Sequence, residues 1–470
     1  MEQLVLSGKE LLAIGFTPSP AVAKAMEAVQ RSFPADQRNV ALEQLRSVLL
    51  QPLLFTSDAV WSDVALALIS QQNETVPLIP PVPYTSYGEA FIDEGARGQM
   101  QTAVRLPVAV AGALMPDAHQ GYGLPIGGVL ATDNAVIPYG VGVDIGCRMC
   151  LSIYDIPESH FYTNESKYKR ELIAHTKFGA GSGFSGSDRS DHQVLSDDGF
   201  NTTRFVSELK DKAYTQLGSS GGGNHFVEFG ILEMLAQENE LGIPKGKYIA
   251  LLSHSGSRGL GATIANHYTK LARSVSRLPK EAAHLAYFDL DSEEGQEYWR
   301  AMNLAGAYAS ACHEIIHDKI TKSLGAGLLA RVENHHNFAW KEHHNGRDVI
   351  VHRKGATPAG KGELGIIPGS MTAPGFLVRG KGNPASLNSA SHGAGRQMSR
   401  TKANQTITSE TMRKQLKESG VTLIGGGTDE APAAYKDIHQ VMAAQQDLVE
   451  VQASFSPKMV RMADDGSRED

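Results

Sequence analysis

The sequence predicts an α+β protein: one large mixed domain behind a short N-terminal helical extension. Three observations predict it. Residues 1–75 carry apolar side chains at helical spacing. A proline-rich seam follows at 76–84, Val-Pro-Leu-Ile-Pro-Pro-Val-Pro-Tyr, which reads as an extended linker or a sheet edge. From about residue 80, short apolar runs alternate with glycine-rich turns and helical stretches. The boundary therefore falls between an extension of 1–75 and a domain of 76–470. A chain of 470 residues, 41% hydrophobic and 20% charged, has an ordinary globular balance and can bury a full core unaided.

The elements follow in order. Ser7 opens a first helix through Leu11, Leu12 and Phe16, which Pro18 and Pro20 break. A second starts near Pro20 and carries Ala21, Val22, Ala25, Met26 and Val29. A third spans about 36–50 and a fourth about 56–71. Beyond the seam, the apolar runs at 103–110, 129–131, 248–252, 348–352 and 376–378 predict buried strands. Helices are expected near 261–274, 299–324, 399–417 and 432–443. No internal repeat of fixed period is visible.

Composition excludes several classes. Three cysteines, Cys147, Cys150 and Cys312, cannot build a disulfide framework, so a reducing compartment is expected. The N-terminal residues do not resemble a signal peptide, and no apolar run approaches the roughly 20 residues of a membrane span. The expectation is a cytoplasmic protein with no membrane partner. A net charge of -7 argues against a general nucleic-acid coat protein but leaves room for a local basic groove. The stretch 379–417 offers one, with Arg379, Lys381, Arg396, Arg400, Lys402, Arg413, Lys414 and Lys417. It reads either as a phosphate-tracking surface or as a solvated helix face.

The chemistry lies in turns. Seventeen histidines are unevenly spread, and several fall in turns rich in Gly, Asn or Ser. Asp144 and Cys147 stand three apart across Gly146, which aims both at one point. Carboxylate, thiolate and imidazole together suit a transition metal, and a bridging thiolate suits a two-metal centre for phosphoryl chemistry. Cys147 and Cys150 also form a CxxC, but a second CxxC is absent and no thioredoxin-like context surrounds it. His313-Glu-Ile-Ile-His317 fits HExxH. Its small apolar flanks (Ala305, Ala307, Ala309, Ala311) and the lack of a further ligand downstream favour a packed helix over a protease site. The glycine-rich stretch 217–224 and the turn 368–371 offer backbone N–H groups to oxyanions, without a Walker loop.

The run Asp117-Ala-His-Gln-Gly-Tyr-Gly-Leu-Pro-Ile-Gly-Gly128, followed by Gly142-Val-Asp-Ile-Gly-Cys147, resembles the RtcB family of RNA ligases. So do Gly223-Asn-His-Phe-Val-Glu228, Ser253-His-Ser-Gly-Ser-Arg258, His335-His-Asn337, Pro368-Gly-Ser-Met371, Ser391-His-Gly-Ala-Gly-Arg396 and Glu430-Ala-Pro-Ala-Ala-Tyr-Lys-Asp437. The motifs are collinear over about 80–455. The resemblance implies an RtcB-type catalytic domain. It implies GTP-dependent joining of an RNA 3′-phosphate or 2′,3′-cyclic phosphate to a 5′-hydroxyl, with two manganese ions. The natural RNA would be a tRNA or an rRNA, with room for an activating protein partner.

The same resemblance implies site roles. His392 would take up GMP, with Gly393, Ala394, Gly395 and Arg396 around it. Arg396 would offset charge developing there. One metal would take Asp144, Cys147 and His225, and the other Cys147, His254 and His336, with His335 in a supporting role. Asn224, Glu228, Asn337 and the turn Pro368, Gly369, Ser370 and Met371 would contact the nucleotide, near His225 and His336. The chain departs from the family where Met462 replaces a nucleotide-seating lysine, with Lys458 or Arg461 as substitutes. It departs again at Thr372-Ala373-Pro374 and in the extension 1–75. Two alternatives follow: a metal-dependent phosphoesterase opening cyclic phosphates, or an RNA-end binder, either having lost guanylylation.

Overall fold

The structure is a computed structural model that describes residues 3–17, 19–73 and 75–464. The expected break at Pro18 and the first two residues of the chain lie outside the described residues. The chain divides into two compact units, Met1–Val76 and Pro77–Asp470.

The first unit is helical: Gly8–Ala13, Pro20–Ser32, Arg38–Leu50 and Ser62–Asn73. Glu10 turns back to accept the Ser7 backbone N–H (2.9 Å) and hydroxyl (2.8 Å), which satisfies the first turn. Leu11, Ala25, Val29, Leu45, Val48 and Trp61 form its core. The fourth helix begins at Ser62, later than the sequence predicts, because a 3₁₀ turn at Pro52–Phe55 comes first. Asp58 then accepts the N–H groups of Val60 and Trp61.

Two main sheets build the second unit. The larger has the strand order Leu364–Ile367, Gly375–Gly380, Val449–Arg461, Phe226–Met234, Gly246–Ser255, Arg148–Pro157, Leu328–His335, with Thr422–Ile424 parallel to the end of Val449–Arg461. The smaller runs Tyr84–Ser86, Ala109–Tyr122, Leu124–Thr132, Arg347–Lys354, Asn337–His344. The 32-residue helix Glu293–Leu324, capped by the Ser292 hydroxyl, packs Ile316 and Ile320 against Tyr154 and Phe229. No described helix is long and apolar enough to cross a membrane.

Some expectations fail locally. The run 103–110 is a helix end and a turn, not a strand: Glu94–Ala103 is helical, and the strand starts only at Ala109. Pro107 has no N–H for a ladder, and the buried Val104 and Leu106 pack the helix end instead. The stretch 399–417 is two helices, Arg400–Thr406 and Ser409–Glu418. The β-branched Ile407 and Thr408 separate them, and the Thr408 hydroxyl caps the second by accepting from Thr411 N–H at 3.1 Å. Likewise 432–443 resolves into a 3₁₀ turn at Pro432–Ala434 and a short helix, Ile438–Ala443.

Register is what matters for the site. In the large sheet Met149 pairs with His254, Phe226 with His254, and Arg148 with His335. These neighbours are antiparallel. Strands starting after Cys147 and His225 therefore begin at the sheet margin where those carrying His254 and preceding His336 end.

Candidate active site

At that margin five side chains converge. Cys147 Sγ lies 3.1 Å from His254 Nε2 and 3.5 Å from His225 Nε2. Asp144 Oδ2 lies 3.0 Å from His225 Nε2, and His254 Nε2 lies 3.2 Å from His336 Nε2. His225, His254 and His336 are buried. Burial, followed by the charge of His225, holds His254 well below the ordinary histidine range. Burial, then His392 and His254, does the same to His336. Both rings are therefore neutral near pH 7, with a lone pair to offer.

This donor set fits a divalent transition metal. Nitrogens, a sulfur and a carboxylate oxygen crowd one another with few protons to share, and a cation between them resolves the crowding. The backbone carbonyl of Asn224 accepts from His254 Nδ1 at 3.1 Å and so orients its Nε2 inward. Ser257 N–H donates to Asp144 Oδ1 at 3.1 Å. A Cβ at Gly256 would collide with the Asp144 carboxylate, so this turn needs its glycine. His335 is not part of the group. Its ring packs on Trp340 and Phe338, and burial lowers it to about 3.

His392 stands beside the cluster, its ring 4.9 Å from that of His336. Asp117, fully buried, holds it: Oδ2 accepts from His392 Nδ1 at 2.7 Å and from the backbone N–H of His392 and Gly393. Burial alone would raise this carboxyl. The hydrogen bond and charge of His392, with Lys436 and His119, outweigh it and hold Asp117 below the usual range. In the neutral ring this contact puts the proton on Nδ1 and leaves the lone pair on Nε2. Gly395, at φ +74°, presses against the Asp117 backbone where a Cβ would clash. These groups line a cavity of about 1140 Å³ together with Asn224, Glu228, Asn337, the turn Pro368–Met371 and Met462.

The family model described as tRNA-splicing ligase RtcB matches residues 99–463. The chain belongs to the RtcB family. It is 33% identical over 394 residues to the RNA-splicing ligase RtcB of Escherichia coli (strain K12), covering 77% of this chain and 92% of that protein. It is 31% identical over 414 residues to the tRNA-splicing ligase RtcB of Nanoarchaeum equitans, covering 74% and 87%. To the RNA-splicing ligase RtcB of Mycobacterium bovis it is 29% identical over 432 residues, covering 77% and 98%.

Within this RtcB fold, several side chains sit differently from the sequence reading. Arg396 does not face the cavity's reacting end freely. It donates to Met398 O, to Asp429 O at 2.6 Å and to Glu430, and so ties down the loop after His392. The Asn337 amide is engaged by backbone: Oδ1 accepts from Gly355 N–H at 2.8 Å and Nδ2 donates to Asp144 O at 3.3 Å. Neither Lys458 nor Arg461 takes the place of the missing lysine. Arg461 donates to Leu172 O and lies over Phe178, on the far side of the strand. Pro457, Val460 and Met462 face the cavity instead. Met462 packs with Met371, Met412 and Val460, so this wall is apolar.

Other motifs find structural uses. The stretch 217–223 is buried rather than an open oxyanion cradle. Three arginines of the stretch 379–417 are paired with acids: Arg379 with Glu240 and Glu450, Arg396 with Glu430, and Arg400 with Asp429 and Glu430. In the HExxH helix, Glu314 points outward to His192. His313 and His317 are buried beside Cys150, and their nitrogens are taken by Ser152, Ser253 and the Ser255 carbonyl. No disulfide joins the three cysteines, all of which are buried.

Two residues were missed. Asp117 stood inside a quoted motif without a role, because nothing in one dimension ties it to a histidine 275 positions away. Lys354 lies two residues beyond the apolar run 348–352 and ends the observed strand Arg347–Lys354. Its Nζ donates to Tyr122 O at 2.5 Å and Tyr139 O at 3.3 Å, and burial lowers it to about 7. Asp117→Asn is expected to reverse the His392 tautomer by presenting an N–H to Nδ1. That puts the proton on Nε2 and removes the nucleophilic lone pair. Activity should fall by roughly 10²- to 10⁴-fold with KM for GTP little changed, measured by steady-state guanylylation.

Proposed function

We propose that this protein is a GTP-dependent RNA ligase. It joins RNA 3′-phosphate or 2′,3′-cyclic phosphate ends to 5′-hydroxyl ends, in tRNA splicing or in repair of tRNA or rRNA. The observation that carries the reading is His392: a histidine with Nδ1 held by a buried carboxylate and Nε2 left open, beside a metal-competent cluster in one cavity. Family membership supports the same reading.

In this mechanism His392 Nε2 attacks the α-phosphorus of GTP, and pyrophosphate leaves. A 2′,3′-cyclic phosphate end is first opened by water, which breaks the P–O2′ bond and leaves a 3′-phosphate. A 3′-phosphate oxygen then takes GMP from His392, and the 5′-hydroxyl attacks the 3′-phosphorus and releases GMP. Asp117 stabilises the imidazolium as charge develops on His392. Asp144, Cys147 and His225 would hold one manganese ion, and Cys147, His254 and His336 the other. Bound there, they would neutralise phosphoryl oxygens and orient the attacking group. Asn224 and the turn Pro368–Met371, which line the same cavity, would contact the nucleotide.

Glu228 is buried in the same cavity, and burial holds its carboxyl well above the usual range. In the proposed complex it reads guanine, whose ring and amino N–H groups favour the carboxylate. Its pKa is then lower in the bound state than in the free state. Binding releases a proton, so GTP affinity should rise with pH between the two values, by up to tenfold per unit, and level off above the free-state value. Glu228→Gln should weaken GTP binding and flatten this slope, as titration calorimetry across pH would show.

The test is sealing. The protein is given GTP, manganese and two RNA strands, one ending in a cyclic phosphate and the other in a 5′-hydroxyl. GTP-dependent joining supports the ligase. The apolar Met462 wall favours one alternative, a phosphoesterase without guanylylation. Cyclic-phosphate opening with no joining and no need of GTP would establish it. Salt-sensitive binding without turnover would establish an RNA-end binder.

A further inference from the structure

We infer that Tyr122 is a stacking platform for an unpaired nucleobase at an RNA strand end, an inference that rests on the RNA-ligase reading for its ligand class. Tyr122 closes the strand Ala109–Tyr122 and pairs with Leu124 across a hairpin tip. Its side chain is 65% exposed, yet it lines the mouth of the cavity that holds His392. A scattered exposed tyrosine is ordinary on a protein surface. This one differs in how firmly its backbone is held and in what lies beside it.

The tip is clamped from both sides. Gln99 accepts from Gly121 N–H at 3.0 Å and donates to Gly121 O at 2.6 Å. Lys354 Nζ donates to Tyr122 O at 2.5 Å. Gly123 follows at φ +71°, with the His284 carbonyl 3.0 Å from where a Cβ would stand, so a residue with a side chain is strained there. A rigid backbone presents the ring at little ordering cost, as a binding platform requires.

Tyr122 is one of three adjacent rings. Tyr139 and His284 stack at 5.2 Å between centroids, and Tyr122 lies 5.7 Å from His284 and 6.4 Å from Tyr139. Arg273 backs the group, its Nη2 2.6 Å from His284 Nδ1, and the Lys354 amine lies 4.8 Å from the Tyr139 centroid. An exposed aromatic face with a nearby guanidinium matches a base and its phosphate, and stacking of this kind tolerates every base. The platform lies on the Lys354 side of the cavity. Lys354 is the neighbour of Gly142, and Gly142 precedes the metal-competent Asp144 turn. Tyr122 and His392 thus border the same cavity, and a strand end entering it passes the ring. Both the 3′-phosphate strand and the 5′-hydroxyl strand carry a terminal base.

The experiment uses the full chain with manganese and RNA strands carrying 2-aminopurine as the terminal base, on the 3′-phosphate strand in one arm and on the 5′-hydroxyl strand in the other. Stacking quenches this fluorophore, whether or not sealing occurs, so a failed ligase reading leaves the measurement intact. The wild type and Tyr122→Phe should quench in one arm, which identifies the strand. Tyr122→Ala should lose the quench and bind that strand roughly 5- to 100-fold more weakly, with an unchanged thermal melt. An abasic terminal nucleotide on that strand should weaken wild-type binding by a similar factor and leave Tyr122→Ala almost unaffected. Equal quenching by wild type and Tyr122→Ala, or no quenching by the wild type in either arm, would overturn the platform.

Discussion

His392→Ala is expected to abolish covalent labelling by α-labelled GTP and to reduce sealing by roughly 10⁴-fold or more, because no other group replaces a missing nucleophile. The measurement is acid-labile label on the protein in a denaturing gel, with manganese and without RNA. The substitution leaves the fold largely intact. His392 is partly exposed to the cavity, and among the described residues its ring hydrogen bond goes to Asp117 alone. Asp117 retains the backbone N–H groups of residues 392 and 393. A melting curve close to wild type is therefore expected beside a complete loss of label. Persistent label in His392→Ala would move the nucleophile elsewhere and remove the central assignment.

The second large effect is expected at Cys147. Its sulfur contacts both His225 and His254, so it alone stands between the Asp144–His225 half of the cluster and the His254–His336 half. Cys147→Ser exchanges a soft thiolate for a hydroxyl that ionises poorly. Loss of outer partners to metal-ligating side chains already costs about 10- to 100-fold in affinity, and loss of a shared ligand should exceed that range. Metal content by elemental analysis should fall in both halves together, and sealing should fall with it. Removal of metal from the wild type by chelation should give the same phenotype, reversed by added manganese. A variant that keeps one ion and half its activity would show that the two halves are independent.

Much of the local structure was legible because its causes are local. Apolar spacing marked the helices Pro20–Ser32 and Arg38–Leu50, and unbroken apolar runs marked strands such as Gly246–Ser255. Where the reading failed, a local detail overrode the apolar pattern. Pro107 denied a ladder to 103–110, and Ile407 with Thr408 interrupted a helical pattern between residues 399 and 417. Charge was the least legible. The basic stretch 379–417 reads either as a phosphate-tracking surface or as a solvated helix face, and three of its arginines, Arg379, Arg396 and Arg400, find acids at residues 240, 429, 430 and 450. A one-dimensional count of charges cannot see such pairings, because they form between elements far apart in the chain.

The sequence alone determined the mixed α+β class, the helical start, and the collinear motifs that carry the family resemblance. It determined these because periodicity and motif order are properties of neighbours along the chain. The resemblance pointed to His336 over His335, and the tertiary structure supplies the cause: antiparallel register sets which side of each strand end faces the margin, so His336 turns toward His254 and His335 packs on Trp340. Only the tertiary structure joined Asp117 to His392, turned Arg396 onto Glu430, and put Met462 rather than Lys458 or Arg461 on the cavity wall. Each of these depends on where a side chain points once its strand is paired. A one-residue change of register reverses that direction, and no spacing in the sequence encodes it.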